Sequence, residues 1–150
     1  MNIGYACINM QLSYPQQYGG QEKGVLPITT GRSMIRRTFD SKGIVYASEK
    51  TLSNCSDLEE IVKWNINNGY KFFRVTSNLA PWKSEYRWDD MPDIEQIRKH
   101  LWSAGTMANT HNLRLTSHPG PFNVLTSPHP HVVTNCVRDL TDHGDVFDMM

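Results

Sequence analysis

The sequence predicts an α/β fold on a parallel sheet, and three observations carry that prediction. Short β-type apolar runs alternate with longer segments of helical period, in the order β, loop, α, β, α, β, α. The second and third β-type runs start about forty residues apart, room for one helix and its two connections. Polar, chemistry-bearing residues follow each run: Asn9 after the first, Thr76, Ser77 and Asn78 after the second, His118 after the third. Strands joined through helices pair in parallel by right-handed crossovers, and their C-terminal ends then share one rim.

The first strand is read at Ile3 to Cys7, as a short buried strand with a polar exit at Asn9. A stretch rich in Gly, Pro, Gln and Thr follows from Gln11 to about Gly31, too long for an ordinary connection and a candidate functional loop. The first long helix is expected at "SDLEEIVKWNINNG", because Ser56 and Glu59 have capping-box spacing ahead of Leu58, Ile61, Val62 and Ile66, and Gly69 stops it. That places a loop or insertion over residues 11–51.

Phe72 to Val75 reads as the second strand. Pro92 then sits in the first turn of a helix whose apolar positions Ile94, Ile97, Leu101 and Ala108 keep period to Thr110. "LRLTS" is the third strand, and Val132, Val133, Cys136, Val137, Leu140 and Phe147 share a helical face beginning near Pro130.

Composition narrows the function classes. The chain has 150 residues, 39% of them hydrophobic, the make-up of one globular domain. Lys and Arg number 15 and so do Asp and Glu, so there is no strongly basic nucleic-acid signature overall. Residues 21–50 nevertheless carry a modest basic excess through Lys23, Arg32, Arg36, Arg37, Lys42 and Lys50. Three widely spaced cysteines without a CxxC pair point to a reduced, cytoplasmic setting, and no apolar run approaches a membrane span. P-loop, GxGxxG, GxSxG and HExxH patterns are all missing, which argues against phosphate-cradling glycine loops and zinc-protease chemistry.

The stretch Leu113 to His131 holds three of the six histidines and four of the eight prolines. An imidazole leaving a strand at His118, turned by Pro119-Gly120, can offer a neutral nitrogen to a metal; a structural hydrogen bond is the alternative. Glu85 lies in the charged loop "KSEYRWDD" and is a surface carboxylate or a ligand. His129 and His131 flank a helix start, while His100, His111 and His143 read as surface residues. Arg32, Arg36 and Arg37 can bind phosphates, with Tyr5, Trp82 or Phe122 offering a flat face to an unstacked base, or they form a solvated face.

Taken together and in this order, "IGYACIN", "FFRVTSNLAPWKSEY" and "LRLTSHPGPFNVL" resemble the UV damage endonuclease family. The resemblance runs from Asn2 to about Met150 and is weakest from Gln11 to Thr51; the HPG turn after the R-x-x-S-x-L-x-P-W segment is its most specific part. It implies a TIM-type (β/α)8 barrel using divalent metals, typically manganese, to cut the DNA backbone 5′ to UV photoproducts in double-stranded DNA. His118 then matches a metal ligand, and Glu85 stands where some members have a ligating histidine. Tyr5 and Asn9 match positions lining the DNA-probing side. Pro121 and Phe122 stand where other members carry a Gln-Tyr wedge, so Phe122 keeps a stacking face while the amide contact is lost.

A barrel of eight strand-helix units needs roughly 250 residues, and this chain supplies three. The expectation is therefore that residues 1–150 are the N-terminal portion of a single barrel domain, inactive alone. Two other readings remain open: a metal-barrel abasic-site endonuclease or sugar isomerase, and a non-catalytic damaged-DNA-binding fragment.

Overall fold

A computed structural model describes residues 3–21, 23–117, 119, 120 and 123–150. The elements run β1 (Gly4–Ala6), α1 (Met10–Ser13), α2 (Arg36–Asn67), β2 (Phe72–Arg74), two 3-10 turns (Lys83–Glu85 and Trp88–Asp90), α3 (Ile94–Thr110), β3 (Arg114–Thr116) and α4 (Pro130–Asp148). The strands form one parallel sheet in the order β1-β2-β3, with Tyr5, Phe73 and Leu115 in register. This is the α/β parallel arrangement that the alternating pattern predicts.

Strand alternation sends Tyr5, Phe73 and Leu115 to one face, which α2 and α3 cover. Phe73 is fully buried against Cys55, Leu58, Ile61 and Val62 of α2 and Ile97, Leu101 and Ala104 of α3. Burial of large apolar side chains, about 1.5–3 kcal/mol each, holds this two-layer core together. Gly69 follows α2 at φ 75°, the left-handed conformation that lets the chain turn from helix to strand. Pro130 stands in the first turn of α4, as expected.

The largest departure from expectation is α2. It begins at Arg36, so Ser56 and Glu59 lie mid-helix and form no capping box, and helix replaces loop over residues 36–51. The buried stripe Ala47, Ser48, Thr51, Asn54, Cys55, Leu58, Ile61, Val62 and Asn65 has continuous helical spacing. Four of its members are polar, so a search for apolar period starts the helix too late. From 14 to 35 the described residues form neither helix nor strand.

Smaller differences have local causes. Gly4 and Ala6 are exposed because alternation turns them to the sheet face that α2 and α3 do not cover, so the strand is not the buried one expected. Helix α3 starts at Ile94, after Pro92, with Asp93 as its cap residue and the Asp93 amide donating to Ser48 Oγ at 3.0 Å. On α4 the buried positions are Cys136 and Val146, while Val137 is 52% exposed. No helix among the described residues is long and apolar enough to cross a membrane.

Candidate functional site

Beyond the C-terminal ends of β2 and β3 a cleft of about 650 Å³ opens between the segment following β2 and helix α4. Thr76, Ser77 and Asn78 line one wall, Asn135, Asp139, Asp142 and His143 the other, and Val75, Trp88 and Val146 give it an apolar base. The two walls are tied together. Lys83 Nζ pairs with Asp142 Oδ1 at 2.9 Å and donates to the Tyr86 carbonyl at 3.0 Å. Asn123 Nδ2 donates to Asp139 Oδ2 at 2.6 Å.

The loop after β1 is stapled to the same rim. Asn54, fully buried on α2, accepts from the Arg32 amide at 3.1 Å and donates to the carbonyls of Arg32 and Leu79, both at 2.9 Å. Trp82 takes a left-handed conformation, φ 59° and ψ 30°, uncommon for a bulky residue, and its Nε1–H donates to the Met34 carbonyl at 3.0 Å. Two residues thus fix the spacing of the loops that follow β1 and β2.

The three candidate arginines have three different surroundings. Arg32 is turned inward, bonding Asp57 and the Thr29 carbonyl at 2.6 Å each. Arg36 pairs with Asp40 at 2.8 Å and Glu85 at 3.2 Å and lies over the Trp82 ring. Arg37 is exposed and has no ion pair among the described residues. Glu85 closes the first 3-10 turn with its carboxylate directed to Arg36.

Tyr5 and Asn9 come together, but in an internal network. The Tyr5 hydroxyl donates to Asn65 Oδ1 and accepts from Asn9 Nδ2, each at 2.7 Å. Asn9 is 3% exposed, and its Oδ1 accepts from the Leu12 amide to cap α1. Burial pushes the Tyr5 phenol up to about 12 against the opposing effect of those hydrogen bonds. The DNA-probing role expected of this pair thus meets side chains already occupied within the fold.

His118, Pro121 and Phe122 lie outside the described residues. Among the described ones, no group of three or more His, Cys, Asp or Glu side chains could hold a metal ion. The described side chains thus do not by themselves make a complete metal centre.

Two histidines assigned to the surface are engaged. His100 Nδ1 lies 2.8 Å from Glu59 Oε2, bridging α3 to α2, and the His143 side chain, 14% exposed, lines the cleft. Sequence reading missed Asn54, Lys83 and Asp142, whose roles depend on partners 22 to 59 residues away. A polar residue at a buried helical position was the one signal available, and it marks only Asn54.

The model of the family described as UV-endonuclease UvdE matches residues 1–150. This chain belongs to the UV-endonuclease family. It is 31% identical over 148 residues to the UV-damage endonuclease of Schizosaccharomyces pombe, covering 99% of this chain and 23% of that protein. It is 27% identical over 154 residues to the UV DNA damage endonuclease of Clostridium perfringens, covering 100% of this chain and 32% of that one. The crystal structure of SacUVDE superposes with a TM-score of 0.76 at 23% identity, over 100% of this chain and 46% of that chain, a likeness of fold. The chain thus spans less than half the length of each of these UV-endonuclease relatives.

Proposed function

We propose that these 150 residues are part of a DNA repair endonuclease that nicks the backbone 5′ to UV photoproducts in double-stranded DNA, using divalent metal ions, manganese first among them. The observation that carries this reading is the family match over the whole chain, joined to relatives named for UV damage. The three parallel strands with their helices support reading the chain as part of a (β/α)8 barrel, in which the cleft beyond β2 and β3 would lie on the rim where such barrels keep their chemistry.

In this reading His118 and Glu85 would help hold a metal, Glu85 only once its carboxylate leaves Arg36, and the remaining ligands would come from outside these residues. Such a metal would supply an activated water and neutralise charge on the phosphodiester. Arg37 contacts a phosphate, and Arg36, released from Glu85, a second. Phe122 wedges beside the lesion, where stacking is already weakened and unstacking is cheap.

The test is incision of a 5′-labelled duplex with one UV photoproduct by the protein that contains these residues, assembled with whatever completes its barrel, in Mn2+. Cutting 5′ to the lesion, abolished by EDTA and by His118→Ala, is expected. Cutting that survives His118→Ala removes His118 from the site, and equal cutting of abasic and photoproduct duplexes removes the lesion assignment. Tight binding of the 150-residue chain to irradiated duplex with no metal uptake favours a non-catalytic damage-binding role instead.

A further inference from the structure

Two cations of α2 take no part in the cleft. The Lys42 and Lys50 ammonium groups lie 4.2 and 4.7 Å from the centroid of one ring, that of Tyr46. Neither lysine has an ion pair among the described residues, and Glu49, next to Lys50 in the sequence, makes none with either. The ring thus gathers two uncompensated positive charges that repel each other. Helix α2 also carries them past the sheet. Its C-terminal end leads into β2, and Asn54 already meets the Leu79 carbonyl beyond the end of that strand. At 1.5 Å per residue, Lys50 and Tyr46 stand about 6 and 12 Å farther along the helix. Phe39, nearer still to the helix start, packs on Trp82 and Tyr86 of the segment that follows β2. The N-terminal part of α2 is therefore a wall above the rim on which the cleft opens.

We infer that Lys42 and Lys50, gathered on Tyr46, form a lesion-independent DNA-binding surface that holds backbone phosphates of the duplex flanking the cleft. The inference rests on the endonuclease reading for its ligand, and on the charge of this wall for its place. A helix face is convex and gives a small ligand no enclosure, whereas a polyanion with regularly spaced charges needs none. Lysine suits that task, because its ammonium is a compact charge on a flexible stem that follows a phosphate without demanding one geometry. The Tyr46 ring limits where the two stems can wander, so less freedom is lost when phosphates arrive. Arg37, exposed and without an ion pair among the described residues, lies on the same part of α2, and the three cations fall within residues 36–50. Such contacts carry no sequence or damage information. They hold any duplex, and the cleft then meets the lesion.

The experiment measures binding of the 150-residue chain to two duplexes of one sequence, undamaged and carrying a UV photoproduct, by fluorescence anisotropy over a series of salt concentrations. Lys42→Gln combined with Lys50→Gln is expected to weaken both duplexes by the same factor and to lower the slope of log K against log salt by about 1.8, the value for two phosphate contacts. Lys42→Arg combined with Lys50→Arg keeps the charges and is expected to restore the slope. Both lysines are on the surface of the helix, so thermal unfolding of the variants is expected to match that of the unaltered chain. An unchanged slope and affinity in the Gln variant, while the unaltered chain binds DNA, overturns this surface and leaves the endonuclease reading standing. Equal affinity of the unaltered chain for both duplexes, with the slope lowered in the Gln variant, supports the surface and counts against lesion recognition. Weakening confined to the photoproduct duplex overturns lesion independence. Binding to phosphatidylserine vesicles that the Gln variant loses, with its DNA binding intact, overturns DNA in favour of a membrane. No binding of the unaltered chain to either duplex at 50 mM salt, about the low end of the range in which such contacts are strong, overturns the inference.

Discussion

Asn54 joins two loops with three hydrogen bonds from a position with no solvent exposure. An amide is the one side chain of this size that both accepts from Arg32 N–H and donates to two carbonyls. Asn54→Ala leaves those groups unpaired, and at about 1–3 kcal/mol for each buried group the expected loss in urea unfolding is about 3 kcal/mol. Asn54→Asp is expected to be no better, since a carboxylate cannot donate to the Arg32 and Leu79 carbonyls; wild-type stability for Asp would show that the staple is not needed. Glu59 makes a second residue-scale prediction. Burial would push its carboxyl up, but hydrogen bonds from His100, Ser103 and Lys63 and the Lys63 charge outweigh burial and hold it below the ordinary 4.5. A depressed folded-state value means its contribution is full above the unfolded value and disappears as pH falls through the folded one. Wild type is therefore expected to lose stability relative to Glu59→Gln as pH drops below about 4.5, with a constant difference above it; a flat difference across pH 3 to 6 would remove the linkage.

Helix α2 shows how one residue shapes an element. Gly43 interrupts it at φ 63° and ψ −158°, a region open essentially to glycine, and the Arg36 end of the helix takes its direction from that break. An added Cβ would touch nothing within 4 Å, so Gly43→Ala tests backbone strain alone. The expected loss is about 1–3 kcal/mol by thermal or urea unfolding, and no loss would mean the break is not held by the fold. At the far end of the chain, α4 depends on contacts rather than on its own stripe: Lys83–Asp142 and Asn123–Asp139 tie it to the cleft. Both links are between residues far apart in sequence or in a loop, so the helical face shared by Val132, Val133, Cys136, Val137, Leu140 and Phe147 does not reveal them, and Val137 on that face is 52% exposed.

At the scale of the molecule, the rim is where binding to DNA would be measured. Arg37 is exposed, while Arg36 is balanced by Asp40 and Glu85 and Arg32 by Asp57. Arg37→Ala is expected to weaken binding to irradiated duplex and to lower the salt dependence of log K by about one unit. Arg32→Ala should act through folding, leaving that slope unchanged once stability is accounted for; a slope change for Arg32 and none for Arg37 would reverse the assignment. The same rim keeps its loops in fixed relation through Asn54 and Trp82, so a duplex would meet a preformed surface.

The sequence by itself determined the strand order along the chain, the parallel α/β class, the Gly69 turn and the start of α4, because alternation, helical period and turn chemistry act between near neighbours. It also carried the family, whose motifs are contiguous runs. Tertiary structure decided where α2 begins, because its buried stripe is half polar and becomes intelligible only when Asn54, Asn65 and Ser48 have found their distant partners. It also decided the state of the candidate site. Tyr5, Asn9, Arg32 and Glu85 carry no sign of their partners in a string of letters, yet each is held by a group more than two residues away and up to sixty along the chain. Charge and hydrogen-bonding partners depend on three-dimensional proximity, and proximity across a sheet or between two helices is not written in local periodicity.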